Sequence, residues 1–389
     1  MNILQIHNYY RFRGGEEQTV LKEREIMEAQ GHHVETVTID SREIVAKQGF
    51  KKIYYILNAF FSLRTVKMMK KSIRSIRPEI IHVHNIFPLL SPSVFYAARK
   101  EHIPIVQTIH NYRYLCLNGL FLLNNGAICE RCKEGNYLHG IFRRCYQESF
   151  LKSGVMGAVL FLHRLLKTFT EKVDLYIPLT NFSKKKLIEA GFPVSKIEIK
   201  PHFVSVADFK PIVKYEEYAV CIGRLSREKG LMTLIEAFKK IDKIGLKILG
   251  DGPLRRELER SAAGFSQIQF LGFIPGEKRF EILGKAMFLV FPSECYENMP
   301  YTILESFACG VPVIASKIGG LKELIREEET GLFFEPGNPI DLQMKIERLS
   351  KDTKLLEGMR QKAREEAESR FSEEIGYQNI LKIYKKAVS

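Results

Sequence analysis

The stretch AMFLVFPSECYENMPYTILESFACGVPVIAS, residues 286–316, decides how the fold is read. AMFLVFPS is a short uninterrupted apolar run, the pattern of a strand buried on both faces. ECYENM is a polar loop beyond its end, and Pro300 suits the first position of a helix, where its missing N–H costs nothing. YTILESFACG continues as an apolar helix and VPVIAS as a second buried strand, so the stretch is a βαβ unit on a parallel sheet. Glu297 then lies in the loop at the carboxyl end of a strand, where open α/β sheets bind ligands, and Glu305 about a turn and a half into the following helix. Ionised carboxylates only accept hydrogen bonds, so they suit the hydroxyls of a sugar or a ribose. The alternative, two unrelated acids on a solvated surface, fits poorly with Glu305 in so apolar a segment.

Outward from this unit the same alternation covers the chain. NILQIHN, HHVETVTID, EIIHVHN, IPIVQTIHN and DLYIPLT form one strand series, and YAVCIGRL, LKILGDG, IQFLGFI, AMFLVFPS, VPVIAS and GLFFEP a second, with helical patterns between. Between the series, KPHFVSVADFKPIVKYEE is polar, Pro-bearing and aperiodic, which reads as a linker. The expected organisation is α/β, with two doubly wound domains over residues 1–204 and 205–371 facing a shared cleft. A C-terminal helix, 372–389, is expected to pack back on the first domain.

The net charge of +14 is unevenly spread: residues 1–200 carry 30 Lys/Arg against 17 acids, and residues 201–389 carry 29 against 28. Residues 51–77, KKIYYILNAFFSLRTVKMMKKSIRSIR, hold eight of these cations and no acid, interleaved with apolar residues at helical spacing. That composition suits an anionic membrane surface; an ordinary solvated helix face and a nucleic-acid contact are the alternatives. No apolar run reaches the ~20 residues that span a bilayer, and MNILQIHNYYRFRGG lacks the pattern of a signal peptide, so a cytoplasmic protein is expected.

Candidate site residues fall just after strands. Gly14 and Gly15 in RFRGGEE would let backbone approach a ligand at a helix N-terminus, although a plain tight turn explains them equally well. They do not form the GxGxxG dinucleotide fingerprint, which weighs against an NAD-dependent oxidoreductase. His110 ends the strand in TIHNYR and could bind a hydroxyl or move a proton; His7, His82 and His84 sit at comparable strand ends, with structural hydrogen bonding the even alternative for each. In GRLSREKG, Arg224 and Lys229 stand beside Gly223 at a helix N-terminus, the charge a diphosphate leaving group needs, unless this is a solvated basic loop. Gly250 in ILGDGP marks another such turn.

An insertion over residues 112–147 carries Cys116, Cys129, Cys132 and Cys145, spaced C-x12-C-x2-C-x12-C. Four thiolates with a CxxC pair fit a structural zinc site; unbound thiols, a disulfide and iron–sulfur ligation are the alternatives. Without histidines at finger spacing the cysteines do not read as a nucleic-acid module, and no nucleic-acid partner is expected. Cys221, Cys295 and Cys309 read as small core hydrophobes.

In order and spacing, RGGEE, TIHNYR, GRLSREKG, GDGP, ENMPYTILE and ACGVPVIAS resemble the family 4 retaining glycosyltransferases of GT-B fold, over nearly the whole chain. The resemblance identifies ENMPYTILE with the family's E-x7-E motif. It implies sugar transfer from a UDP- or GDP-sugar to a glycan or lipid-linked acceptor in surface polysaccharide synthesis, at the inner membrane face. Gly15 would approach the donor, Arg224 and Lys229 hold the diphosphate, Glu297 the sugar, Glu305 the ribose, and His110 face the reaction centre. ENMP, with Asn298, Met299 and Pro300 after Glu297, stands where the family commonly has EGFG, which leaves the sugar open. No catalytic metal is implied. A phosphorylase or a nucleotide-sugar epimerase on the same fold is the alternative activity.

Overall fold

The computed structural model describes residues 1–10, 14–42, 51–212 and 214–389. Within them, all eleven strand runs form strands. β1 (Asn2–Tyr9), β2 (His33–Asp40), β3 (Ile80–Asn85), β4 (Ile105–Ile109) and β5 (Leu175–Pro178) make one sheet in the order β2-β1-β3-β4-β5. β6 (Tyr218–Ile222), β7 (Gly245–Leu249), β8 (Ile268–Gly272), β9 (Phe288–Phe291), β10 (Val313–Ser316) and β11 (Gly331–Phe334) make the other, β11-β10-β9-β6-β7-β8. Every strand pair is parallel. Each sheet reverses its order beside its first strand, the arrangement that opens a crevice at the strands' carboxyl ends. β3, β9, β10 and β11 are buried along their whole length, as helices on both faces require, and this explains their unbroken apolar composition.

The chain divides into two compact units, Met1–Pro201 with Gly376–Ser389, and His202–Ile375. The division falls at Pro201, a few residues ahead of the boundary expected from the linker composition. The last helix, Glu373–Val388, sets Ile380, Ile383 and Tyr384 on one face, and these join Ile3, Val34, Ile80, Val106 and Ile177 in the first unit's core. The Tyr384 hydroxyl meets Nδ1 of His82 at 2.7 Å, and the Tyr377 hydroxyl meets Nε2 of His32 at 3.1 Å. His82 therefore lies inside β3, fully buried, rather than at a strand end, and its hydrogen bonds are structural ones to Tyr384 and, at 2.8 Å, Thr108.

Residues 51–77 fold as two helices, Lys51–Phe60 and Leu63–Ile76. Ser62 caps the second, its hydroxyl accepting from the Thr65 amide at 3.1 Å. Met69, Ile73 and Ile76 are buried on one face, while Arg64, Lys67, Lys71 and Arg74 are exposed on the other, beside exposed Tyr54, Leu57, Phe61 and Leu63. Among the described residues, no helix is long and apolar enough to cross a membrane.

Candidate functional site

In the second unit the loop after β6 is built by two close backbone approaches. The loop packs against the turn after β7, where Gly223 and Leu225 donate to Leu249 and Asp251 carbonyls at 3.0 Å each. Gly250 has φ +138°, and a Cβ there would lie 1.9 Å from the Gly223 carbonyl oxygen, so the backbone demands this glycine independently of any ligand. Gly223 itself opens on space: a Cβ there would meet nothing within 4 Å. Gly230, at φ +63°, ends the 3-10 turn Arg227–Lys229 and precedes helix Leu231–Phe238; a Cβ there would sit 1.9 Å from the Pro292 carbonyl oxygen.

That approach fastens the loop after β6 to the loop after β9. Glu294 donates its amide to the Glu228 carbonyl at 2.9 Å, and the Ser293 hydroxyl to the same carbonyl at 3.1 Å. The side chains follow. Lys229 Nζ and Glu297 Oε1 form an ion pair at 2.5 Å, and the Ser293 hydroxyl, whose single proton is shared with the Glu228 carbonyl, also reaches Glu297 at 2.6 Å. Arg224 pairs with Glu228 at 2.5 Å, and its Nε donates to Ser226 at 3.1 Å. Burial works to lower the Lys229 pKa, but the Glu297 carboxylate and its neighbours outweigh it and raise it. Burial would raise that of Glu228, and the Ser226 hydroxyl and Arg224 hold it lower instead. Both cations foreseen for a diphosphate are thus present with a carboxylate on each.

Pro300 is the N-cap, one residue before the helix Tyr301–Ala308 begins, rather than its first residue. Glu305 is 3% exposed in this otherwise apolar helix and pairs with Arg279 at 2.7 Å. Arg279 comes from helix Gly276–Lys285, which carries no local mark of function and was not foreseen. Asn298 and Met299 are buried; the Met299 sulfur accepts the His202 amide at 3.1 Å, and the His202 ring stacks on Tyr301 at 4.6 Å.

In the first unit, Gly14 is the N-cap of helix Gly15–Ala29 and donates to Glu17 at 2.6 Å. Its φ of −146° suits any residue, and a Cβ would make only ordinary contact, so neither space nor conformation requires glycine at this position. Glu16 accepts from Asn111 at 2.7 Å, and burial pushes its pKa up to about 7. His110 lies just past β4; its Nε2 is 3.1 Å from Nδ1 of His84, with the two rings stacked 5.4 Å apart. A pocket at the ends of β3 and β4 is lined by His84, Asn85, His110, Asn111, Arg113 and Tyr114 among others.

The four insertion cysteines are free thiols. The Phe121 carbonyl accepts from the Cys129 amide at 2.8 Å and the Gly140 carbonyl from the Cys145 amide at 3.0 Å, while the Cys116 thiol donates to the Asn118 side-chain oxygen at 3.0 Å. Burial, reinforced by the neighbouring cysteines, pushes Cys132 up to about 12 and Cys145 to about 11. Among the described residues, only Glu23, His82 and His84 bring three metal-binding atoms within 4.8 Å of one another. The Lys200 ammonium, 2.6 Å from Glu23, already supplies the positive charge there.

Two doubly wound parallel sheets in succession define the class of fold, GT-B, and family models give the glycosyltransferase class that goes with it. A family model described as glycosyl transferases group 1 matches residues 207–366, and one described as Glycosyltransferase Family 4 matches residues 13–208. The chain belongs to Glycosyltransferase Family 4. It is 26% identical over 344 residues to the uncharacterized glycosyltransferase MJ1178 of Methanocaldococcus jannaschii, covering 87% of this chain and 82% of that one. It is 25% identical over 229 residues to the amylovoran biosynthesis glycosyltransferase AmsK of Erwinia amylovora, covering 55% of this chain and 56% of that one. The crystal structure of Anabaena Alr3699/HepE in complex with UDP aligns with a TM-score of 0.70 over 99% of this chain and 100% of that one; at 16% identity the likeness is one of fold.

Proposed function

We propose that the enzyme moves a sugar from a UDP- or GDP-sugar to an acceptor hydroxyl with the anomeric configuration retained. The observation that carries this reading is the Lys229–Glu297 ion pair at 2.5 Å. A diphosphate entering beside it draws Lys229 and Arg224 away from their carboxylates and onto phosphate oxygens, where negative charge grows as the glycosidic bond breaks. Glu297, released, accepts from the hydroxyls of the donor sugar, and Glu305, steadied by Arg279, accepts from the ribose. The bond from the anomeric carbon to the phosphate oxygen breaks, and the bond to the acceptor oxygen forms on the same face. The acceptor's proton passes to the departing phosphate. His110 hydrogen-bonds at the reaction centre, and the two cations supply the leaving group's charge without a catalytic metal.

The acceptor in this reading is a lipid-linked glycan of a surface polysaccharide. The exposed Arg64, Lys67, Lys71 and Arg74 beside exposed Leu57, Phe61 and Leu63 support it, as a face suited to an anionic bilayer. So does the AmsK relative. A thermal-shift panel of UDP-, GDP-, ADP- and dTDP-sugars, followed by NMR of the product's anomeric signal, tests the transfer. No stabilisation by any donor, or a product of inverted configuration, refutes it. Sedimentation with phosphatidylglycerol vesicles tests the membrane face; binding unchanged by charge reversal at Lys67 and Lys71 refutes it.

The C-x12-C-x2-C-x12-C spacing supports a structural zinc held by Cys116, Cys129, Cys132 and Cys145. Burial keeps these thiols protonated in the free chain, so zinc would bind with release of their protons. Held by these four thiolates, a zinc would cross-link the insertion as a structural site. Metal analysis of protein purified without chelator reads this directly, with one zinc per chain expected; absence of zinc after refolding in excess metal excludes it.

A further inference from the structure

His84 is fully buried beside His110, and its second ring nitrogen faces a buried carboxylate. Nε2 of His84 lies 3.6 Å from Oε2 of Glu23, and neither atom has a hydrogen-bond partner. On the other side of that carboxylate, Oε1 of Glu23 receives Lys200 at 2.6 Å, with both side chains fully buried. The lysine holds the carboxylate ionised, so Glu23 can only accept. If Nε2 of His84 carried its lone pair, two acceptors would face each other inside a site sealed from water. The proton of His84 therefore belongs on Nε2. The ring as a whole stays neutral, because burial, His82, His110, His7 and Lys200 all hold its pKa well below the ordinary value. His7 in turn faces Glu17 at 3.9 Å, and His82, 3.4 Å from Glu23, is bonded to Tyr384 and Thr108.

A neutral imidazole protonated at Nε2 offers only a lone pair at Nδ1, the atom 3.1 Å from Nε2 of His110. His110 must then be the donor in that bond. We propose that Glu23, acting through His84, fixes His110 in the tautomer protonated at Nε2 with its lone pair on Nδ1, making His84 and Glu23 positioning residues for sugar transfer. The proposal rests on the reading of His110 as part of the transfer site. Its consequence is that the neutral ring of His110 presents Nδ1, and not Nε2, to accept a hydrogen bond from a hydroxyl. Lys200, at the far end, keeps the carboxylate charged and so sets the direction of the whole series.

The test has a spectroscopic and a kinetic arm, both on the full chain. Long-range proton–nitrogen NMR of histidine-labelled protein, with His110 identified by loss of its signals in His110→Gln, reads the tautomer without any substrate. Protonation at Nε2 is expected; protonation at Nδ1 overturns the proposal. In transfer assays, His84→Phe removes the acceptor and is expected to lower kcat by about ten- to hundredfold with donor KM little changed, and to displace the pH profile of kcat. His84→Asn, whose amide oxygen stands near the place of Nδ1, is expected to restore most of kcat. Equal loss in the two variants, or an unchanged kcat in His84→Phe, overturns it. Whether the chain transfers sugar, and whether His110→Gln slows it, is decided on the wild type and that variant alone; the tautomer spectrum judges the proposal in either case.

Discussion

Lys229→Met separates what the Lys229–Glu297 pair does for the fold from what it does for chemistry. The pair is neither on the surface nor sealed: its side chains are 28% and 14% exposed. Exposed pairs contribute about 0–1 kcal/mol, and breaking a buried one costs about 3–5 kcal/mol, so removing the ammonium alone should destabilise the second unit by about 2 kcal/mol. At about 2–4 °C per kcal/mol for domains of this size, the melting temperature falls by roughly 4–8 °C. Most of that loss is the penalty on Glu297, left with the Ser293 hydroxyl at 2.6 Å in place of a cation. The double variant Lys229→Met/Glu297→Gln removes the stranded charge and should recover most of the melting temperature. Transfer should behave differently. Losing one donor to a developing oxyanion costs about 10²–10³ in kcat, and the double variant does not replace it. Differential scanning fluorimetry and steady-state kinetics on the four proteins of this cycle give both readings. A Lys229→Met enzyme within tenfold of wild type in kcat, or a double variant that regains activity along with stability, would refute the assignment of Lys229 to the leaving group.

Other positions make sharper structural demands. Gly230→Ala places a Cβ 1.9 Å from the Pro292 carbonyl at φ +63° and should destabilise by more than about 2 kcal/mol, read from the midpoint of urea unfolding; a change under about 0.5 kcal/mol would show that the two loops part freely. Glu305→Gln should raise the donor dissociation constant about tenfold through the ribose while leaving kcat at saturating donor nearly unchanged, by titration calorimetry and kinetics; equal binding would remove Glu305 from the site. Glu16 gives a pH dependence of defined sign. Its carboxyl titrates near 4.5 unfolded and about 7 folded, so the unfolded chain releases its proton first as pH rises. Its contribution to stability is present below the unfolded value and declines from about pH 4.5 to about 7; Glu16→Gln should flatten that part of the urea-midpoint profile, and an unchanged profile would refute the assignment.

The strands were legible because each is a short run of apolar, mostly β-branched residues, and burial on both faces leaves no alternation to obscure the pattern. The positions of Glu297, Arg224 and Lys229 beyond strand ends were legible because each follows directly on an apolar run. Their pairing was not, since it depends on β6 lying next to β9, and strand order is not written in local pattern. The same holds for Arg279, which reaches Glu305 from an amphipathic helix that looks like any other. HVHN and TIHN both showed histidines at the ends of apolar runs, yet only the adjacency of β3 and β4 brings His84 to His110. Gly250 sits at a turn where crowding against the Gly223 carbonyl by itself asks for glycine, with or without a ligand beside it. Glycines in such turns carry two meanings that sequence alone does not separate.

The chain's two ends share one core, and that has a consequence for the order of events on the ribosome. Ile380, Ile383 and Tyr384 complete the core begun by Ile3 and Val34, yet all of His202–Ile375 is synthesised in between. At about 5–20 residues per second, the first unit waits roughly 10–35 s with that apolar surface uncovered, while the second can close as soon as its own strands have emerged. The unit made first is therefore finished last.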